Sequence, residues 1–494
     1  MVTVASVRRC LVVLLCVVAF PGTATAAPVL VLGPHGRVHE RDDRFLSPAA
    51  TTPAPSLGPR VAVSARRGRT LPPSHKHKRK PVTVKSVLSR LRSHRRISSG
   101  QYRQTLRAFN AALRAERRLY GTRKSELAAV TETVHNLAAG GALSPPRLAE
   151  VVATLDANRR WWTKGSLPAP DQRIEFAGSQ LVWQYYPRQG IQLQVLGTFG
   201  KADGLYTAGP SYYSAMEQLL SEMIALASRR GRGLTWEYLF EFDGGKPPWT
   251  SAMSQATGLE ALTRAYEATG NRAYLVTGAH ALQIFKRRPP TGVAVPTKRG
   301  VRFLQYTFAP KLSIINAFLQ TLIGLHDYAQ VSGNATAQTL FDEGNAEAIA
   351  EVPRFDTGAW SLYQPGVEDD LSYHELVTGF LQELCTLTNT PVYCTTARAF
   401  VADETTPPTL ADLTRRAKPH TWFALRFRLS KVSHVGIVIT SGTSTVFSTS
   451  ASFGYGVHRF SVPKLRVGTY GVRLAATDLA GNFNRITGTL TVSG

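Results

Sequence analysis

Residues 247–270 read PPWTSAMSQATGLEALTRAYEATG, a proline- and tryptophan-bearing loop that passes into an amphipathic helix. The pattern returns as QYTFAPKLSIINAFLQTLIGLHDYA from Gln305 and as FDTGAWSLYQPGVEDDLSYHELVTGFLQEL from Phe355. Between these stretches lie two further helical ones, NRAYLVTGAHALQIFKRR and NATAQTLFDEGNAEAIAEV. Helix pair thus follows helix pair at a spacing of about sixty residues. The fold class expected is mainly α, an (α/α) toroid of helical hairpins. In such a toroid the loops before alternate helices gather at one end, which would bring Trp249, Gln255, Tyr306, Asn316, Tyr363, Tyr373 and His374 together.

Working outward, the N-terminal residues carry a destination signal. Arg8 and Arg9 precede an apolar run from Cys10 to Phe20, and Ala24, Thr25 and Ala26 offer small residues for cleavage, so 1–26 reads as a bacterial-type secretory signal peptide. The run is too short for a good membrane span, and Leu15 before Cys16 argues against a lipid anchor. Residues 27–83 are rich in Pro, Arg, His and Ser, end near SHKHKRKP, and are expected to be a disordered basic linker. The net charge of +25 over 494 residues owes much to this tract. For a secreted or cell-surface chain it points away from nucleic acid and toward an anionic polysaccharide, cell-wall polymer or lipid surface, the alternative being a solvated tail. Residues 84–165 show helical spacing at Val87, Leu88 and Leu91 and again at Leu106, Phe109 and Leu113, and Pro145-Pro146 opens their last helix. They read as a segment that braces the toroid, itself placed at 166–403. WEYLFEFDGGKPPW from Trp236 alternates like a ribbon turning at Asp243-Gly244-Gly245. Cys385 and Cys394, the two cysteines outside the signal, can form a disulfide in an oxidising compartment, two free thiols being the alternative. From 404 to 494 the period changes to two, in short runs such as FALRFRLS, HVGIVITSG and GTYGVRLAATD, which predicts a small β-sandwich.

The segments PPWTSAMSQATGLEALTRAY, Gln305-Tyr306, INAFLQTLIGLHDY, FDTGAWSLY and SYHELVTGFLQEL resemble, in order and spacing, the C-terminal domain of D-glucuronyl C5-epimerases, enzymes of heparan-type polysaccharides. WQYYPRQGIQLQ from Trp183 resembles that family's aromatic-Tyr-Pro segment. The resemblance covers about 183–403 and lacks the family's large β-sheet domain. ATDLAGN from Ala476 resembles the penultimate turn of bacterial immunoglobulin-like modules. The epimerase resemblance implies that Tyr373, Tyr306 and Tyr186 are catalytic, and that Trp249, Gln255, Gln305, Asn316, Tyr363 and His374 line or bind the substrate. Two positions depart from the pattern: Gln305 stands where the family has a glutamate, and Gly366 where it has an arginine. A glutamine cannot act as a general base, and a glycine cannot pair with a carboxylate.

Inverting C5 of a uronate requires one group to take a proton and another to return one from the opposite face, with the carboxylate charge stabilised meanwhile. Tyrosines suit both proton roles, and Tyr373, opening a helix, is placed where the dipole would ease phenolate formation. A polysaccharide lyase begins with the same proton abstraction and is one alternative. A non-catalytic glycan-binding protein that keeps the cleft is another. The cluster Glu368, Asp369 and Asp370 reads as a helix start rather than a metal site, and with no paired metal-ligand motif or phosphate-binding glycine loop, neither cofactor nor metal is expected. Tyr266, Tyr274 and Tyr328, within helical stretches, read as packing residues.

Overall fold

The computed structural model describes residues 27–46, 82–230 and 232–494. The expected signal peptide and the SHKHKRKP tract lie outside the described residues. The chain is mostly helical, with a β-rich C-terminal region.

Four helices come first: α1 (Val84–Ser93), α2 (Ser99–Glu116), α3 (Gly121–Ala139) and α4 (Leu148–Lys164). Val87, Leu88 and Phe109 are buried at the expected spacing, and a proline-led short turn at Pro145–Arg147 opens α4. Four hairpins follow, α5 (Val195–Thr207) with α6 (Tyr213–Leu226), α7 (Ala252–Thr269) with α8 (Ala273–Ala281), α9 (Ile315–Ser332) with α10 (Ala335–Glu351), and α11 (Leu371–Thr388) with α12 (Pro391–Asp403). The first helix of each packs on the first helix of the next, giving the series α5, α7, α9, α11. Their sequences explain the order. Residues 252–263 of α7 and 315–325 of α9 are buried on every side, whereas α6, α8, α10 and α12 bury one face. Left-handed residues Gly270, Gly333 and Asn389 end α7, α9 and α11, so each partner helix starts within a few residues. Cys385 in α11 and Cys394 in α12 are joined by a disulfide with Cα atoms 4.8 Å apart.

Residues 27–46 are not the linker expected. Ala27–Leu32 pairs in parallel with Arg173–Phe176 and antiparallel with Val38–Asp43, forming one edge of a five-stranded sheet that continues through Trp183–Tyr186 to Gly190–Leu193. The physical reason is the run Val29-Leu30-Val31-Leu32, whose Val29 and Leu32 are fully buried. Asp43 is anchored as well: Lys201 of α5 lies 3.4 Å from it and 2.6 Å from Glu175, and Arg41 bridges the same two carboxylates. One continuous apolar core runs from Leu32 through the hairpins to Phe400, so the bracing helices and the hairpin series share it.

In the C-terminal region Phe423–Leu429 lies between Leu410–Asp412 and Gly456–Val462 in one sheet. The other is ordered Arg416–Ala417, Phe483–Val492, Gly468–Asp478, Ser433–Ser441, Ser444–Phe453. Alternate residues of both sheets, including Leu425, Phe427, Val435, Ile437, Val472 and Leu474, form a single apolar cluster. This region is locked to the helices. Glu368 accepts the backbone N–H of Val432 at 2.8 Å and of Tyr455 at 2.6 Å, and Asn482 donates to the Glu404 carbonyl at 2.8 Å. Lys431, 1% exposed, pairs with Asp478 at 2.6 Å, donates to the carbonyls of Asp403 and Thr406, and lies 5.1 Å over the Trp360 ring.

Candidate active site

The loops before α7, α9 and α11 meet at one end of the hairpin series. The first two are zipped by backbone and side-chain bonds: Ala252 N–H to Leu304 O at 2.8 Å, Thr307 N–H to Thr250 O at 3.1 Å, and Ser251 Oγ to Gln305 Oε1 at 3.0 Å. Ser251 also caps α7 by accepting the Ser254 N–H, which fixes where Gln305 can point. The third loop is a short hairpin, Leu362–Gln364 against Val367–Glu368, turning at Gly366 with φ of 83°. That left-handed angle suits glycine, so an arginine there would strain the turn.

Tyr363 from this hairpin and Tyr373 from the first turn of α11 pack edge to face with ring centroids 5.1 Å apart. The Tyr363 hydroxyl neighbours that of Tyr306, which also faces Gln305. Tyr306 packs on Trp249 at 5.7 Å and on Phe308 at 5.2 Å. The cluster continues through Phe242 and Phe240 to Tyr186, whose ring is 4.6 Å from Phe240. Thus Tyr186, Trp249, Gln305, Tyr306, Tyr363 and Tyr373 belong to one aromatic patch. Its members pack on one another rather than lining an open cleft: Trp249 is 4%, Tyr306 8% and Tyr363 3% exposed. The filling comes from the ribbon after Trp236. Tyr238, Phe240 and Phe242 alternate onto one side, and the ribbon folds back so that Tyr238 pairs with Trp249 and Phe242 with Gly245. Tyr186, Gln305, Phe308 and Tyr373 remain partly open to solvent.

Two expected substrate residues lie elsewhere. Gln255 is fully buried and fully occupied, accepting from Thr235 Oγ1 and the Trp236 N–H and donating to the Trp236 carbonyl. His374 is also fully buried. It stacks on Trp360 with centroids 3.8 Å apart, its Nε2 bonds the Phe400 carbonyl at 3.0 Å, and its Nδ1 faces Ser361 Oγ at 2.8 Å. The reason is helical geometry: neighbours in sequence point about 100° apart, so with Tyr373 on the patch His374 must face the core. Asn316, in the first turn of α9, has its Oδ1 shut from solvent without a partner among the described residues, as does Gln364 Oε1 beside Tyr363. Gln364, next to Tyr363, and Tyr238, inside the ribbon WEYLFEFDGGKPPW, are further members of this end that carry no motif of their own. Tyr274 and Tyr328 donate to Glu217 and to the Leu275 carbonyl, which are packing roles.

Burial sets the protonation states. It raises the Tyr306, Tyr363 and Tyr186 phenols above the ordinary range, the last opposed by the nearby Arg173 cation. Burial and then the charges of Asp370 and Asp369 push Tyr373 up to about 12. The expected easing of phenolate formation at the start of α11 is therefore reversed, because Asp370 caps the helix by accepting the Tyr373 N–H at 2.9 Å and answers the dipole itself. None of the three acids forms a metal set: Glu368 holds the β region, Asp370 caps α11, and Asp369 faces Ser361 Oγ at 2.6 Å.

Asp369 and His374 face the same Ser361 hydroxyl in a buried row. Burial raises Asp369 to about 7, and burial lowers His374 to about 4. Between these values the folded pair holds one proton on the carboxyl, while the unfolded pair holds one on the imidazole, so the two linkages cancel. Single replacements expose them. His374→Gln leaves only the raised carboxyl, whose contribution is present at low pH and is lost as pH rises from about 4 to about 7. Asp369→Asn leaves only the depressed imidazole, whose contribution is present above about 6.5 and is lost as pH falls toward about 4. Denaturant titrations across this range are expected to give slopes of opposite sign, up to about 1.4 kcal/mol per pH unit. Slopes of the same sign would show that burial does not move the two groups in opposite directions.

Comparison with known proteins places the site in a family context. Residues 230–401 match the model of the D-glucuronyl C5-epimerase C-terminus. Over 130 residues the chain is 32% identical to a D-glucuronyl C5-epimerase of Caenorhabditis elegans, covering 24% of this chain and 21% of that protein. Over 145 residues it is 30% identical to an uncharacterised protein of Methanocaldococcus jannaschii, covering 26% of this chain and 44% of the relative. The chain thus spans less than half the length of each of these two relatives. Among solved structures, a GH76 alpha-mannanase of Bacteroides thetaiotaomicron overlaps 46% of this chain and 65% of its own at 13% identity and a TM-score of 0.35. A sugar epimerase from a ruminal bacterium overlaps 53% of this chain and 70% of its own at 9% identity and a TM-score of 0.34. Neither overlap is close enough to bear on the site. The match spans the three aromatic loops and their helices, so residues 230–401 are similar to the D-glucuronyl C5-epimerase C-terminus.

Proposed function

We propose that the chain is a secreted or cell-surface protein of D-glucuronyl C5-epimerase type, which removes and returns the C5 proton of uronic acid units in an anionic polysaccharide. The observation that carries this is the meeting of Tyr306, Tyr363 and Tyr373, delivered by two different pre-helix loops and a helix start, with Tyr186 reaching the same patch from the sheet. Phenols kept neutral by burial are proton donors, which suits the return step. Removal needs a phenolate, and at Tyr186 the Arg173 cation works against the burial that keeps that phenol neutral.

The hairpin series is read as an (α/α) toroid and the β region as an immunoglobulin-like sandwich. The disulfide supports an oxidising compartment. Among the described residues no helix is long and apolar enough to cross a membrane. Exposed Arg103, Arg107 and Arg114 on α2 and Arg118 just past its end flank shallow concavities of about 440 and 380 Å³ and favour a polyanionic chain.

A second reading, a glycan-binding protein without turnover, is favoured by Gln305 and Gly366 and by the packed state of the patch. Incubation with uronate polymers in deuterated water separates the readings. Deuterium at C5 is the expected result; a new unsaturated chain end would instead mark a lyase, and binding without exchange would mark the glycan-binding protein.

A further inference from the structure

Arg173 opens the strand that pairs with Gln184, two residues before Tyr186 on the neighbouring strand, so all three lie along one face of the sheet. Its Nε and Nη1 are shut from solvent and meet no acceptor among the described residues. Asp171, the carboxylate that acts on it, is instead bonded to Gln184 Nε2 at 3.1 Å. The guanidinium lies over the first turn of α5, where a Cβ on residue 197 would collide with Nη1, so Gly197 leaves it that place. Around the same turn Leu196 N–H reaches the Tyr238 hydroxyl at 3.3 Å, and Gln194 Nε2 reaches the Tyr186 hydroxyl at 3.3 Å.

A half-buried permanent cation, two of its nitrogens shut from solvent without an acceptor among the described residues, against the positive end of a 13-residue helix is doubly unfavourable unless an anion joins it. The guanidinium is an anion binder and stands against the positive end of the helix dipole, where Gln194 Oε1 already takes the Gly197 N–H at 3.2 Å. We infer that Arg173 and the first turn of α5 form an anion site that takes a sugar carboxylate and holds it beside the Tyr186 and Tyr238 hydroxyls. Assigning that carboxylate to a substrate uronate rests on the function proposed above; the anion site itself does not. In the epimerisation step the same cation would stabilise charge building on the carboxylate as the C5 proton leaves.

The test is a melting series on the full chain at fixed ionic strength, with sodium glucuronate, sodium sulfate and neutral methyl glucoside. Glucuronate is expected to raise the wild-type melting temperature saturably by a few degrees, and the glucoside to leave it unchanged. Arg173→Met is expected to lose that rise while melting no lower than wild type without anion, since an unpaired buried charge has been removed. Gly197→Ala, which keeps the arginine but displaces it, should lose the rise too. An equal rise in Arg173→Met, or a marked drop in its melting temperature without anion, would overturn the site. A rise with sulfate and none with glucuronate would overturn the sugar carboxylate. Glucuronate binding through Arg173 with no C5 exchange on any polymer keeps the site and removes the epimerase reading. Exchange with an unchanged KM in Arg173→Met does the reverse.

Discussion

Phenylalanine at position 373 is expected to leave the fold intact and to slow deuterium exchange at C5 by about two to four orders of magnitude, the usual worth of a general acid or base. The fold should survive because the residue's structural bonds do not involve the hydroxyl. Its backbone N–H bonds Asp370, and its ring packs on Tyr363, both of which phenylalanine keeps. No protein acceptor for the hydroxyl occurs among the described residues, and the side chain is partly open to solvent, so a proton can pass from it to a bound sugar. With its pKa pushed up to about 12, the phenol is neutral at pH 7 and acts as the donor. Exchange in Tyr373→Phe as fast as in wild type would move the donor role to Tyr306 or Tyr363. If wild type shows no exchange, Gln305→Glu is the variant that restores a carboxylate within reach of Tyr306.

The second large effect is on stability. Asp478→Ala is expected to cost about 3–5 kcal/mol, because it strands the Lys431 ammonium in a place with almost no solvent. The two remaining carbonyl acceptors cannot neutralise a full charge, and Asn482 loses its bonds to Asp478 in the same step. The loss should appear as a lowered unfolding midpoint and as new protease cleavage near 404–409, where the β region leaves α12. Replacing both partners, Lys431→Met with Asp478→Leu, removes the stranded charge and should recover most of the loss. A cost below about 1 kcal/mol for Asp478→Ala would mean that water reaches Lys431 and that the junction is loose.

How much of this could be read beforehand follows from the range of each interaction. The helices α7, α9 and α11 and their aromatic loops were legible because periodicity and capping are local. The change to strands after 404 was legible for the same reason. The strand Ala27–Leu32 was missed because four apolar residues in a Pro- and Arg-rich setting gain meaning only from a partner about 140 residues away. Gln255 and His374 were misassigned because membership in a motif says nothing about which side of a helix a residue faces. Arg173 sits in RIEF, which carries no motif at all; only its unanswered charge in the fold marks it.

The parallel pairing of Ala27–Leu32 with Arg173–Phe176 also sets an order of assembly. During synthesis the Val29–Leu32 run emerges long before its central partner exists, and it must wait while α1 to α4 are made. Its hairpin with Val38–Asp43 leaves one edge unpaired throughout that interval, an apolar edge able to recruit another nascent chain. The charged residues on Val38–Asp43 guard only the outer side of the pair. Crowded or fast synthesis should therefore produce aggregates seeded at this strand, whereas the β region, built mainly from consecutive hairpins, can close as soon as it appears.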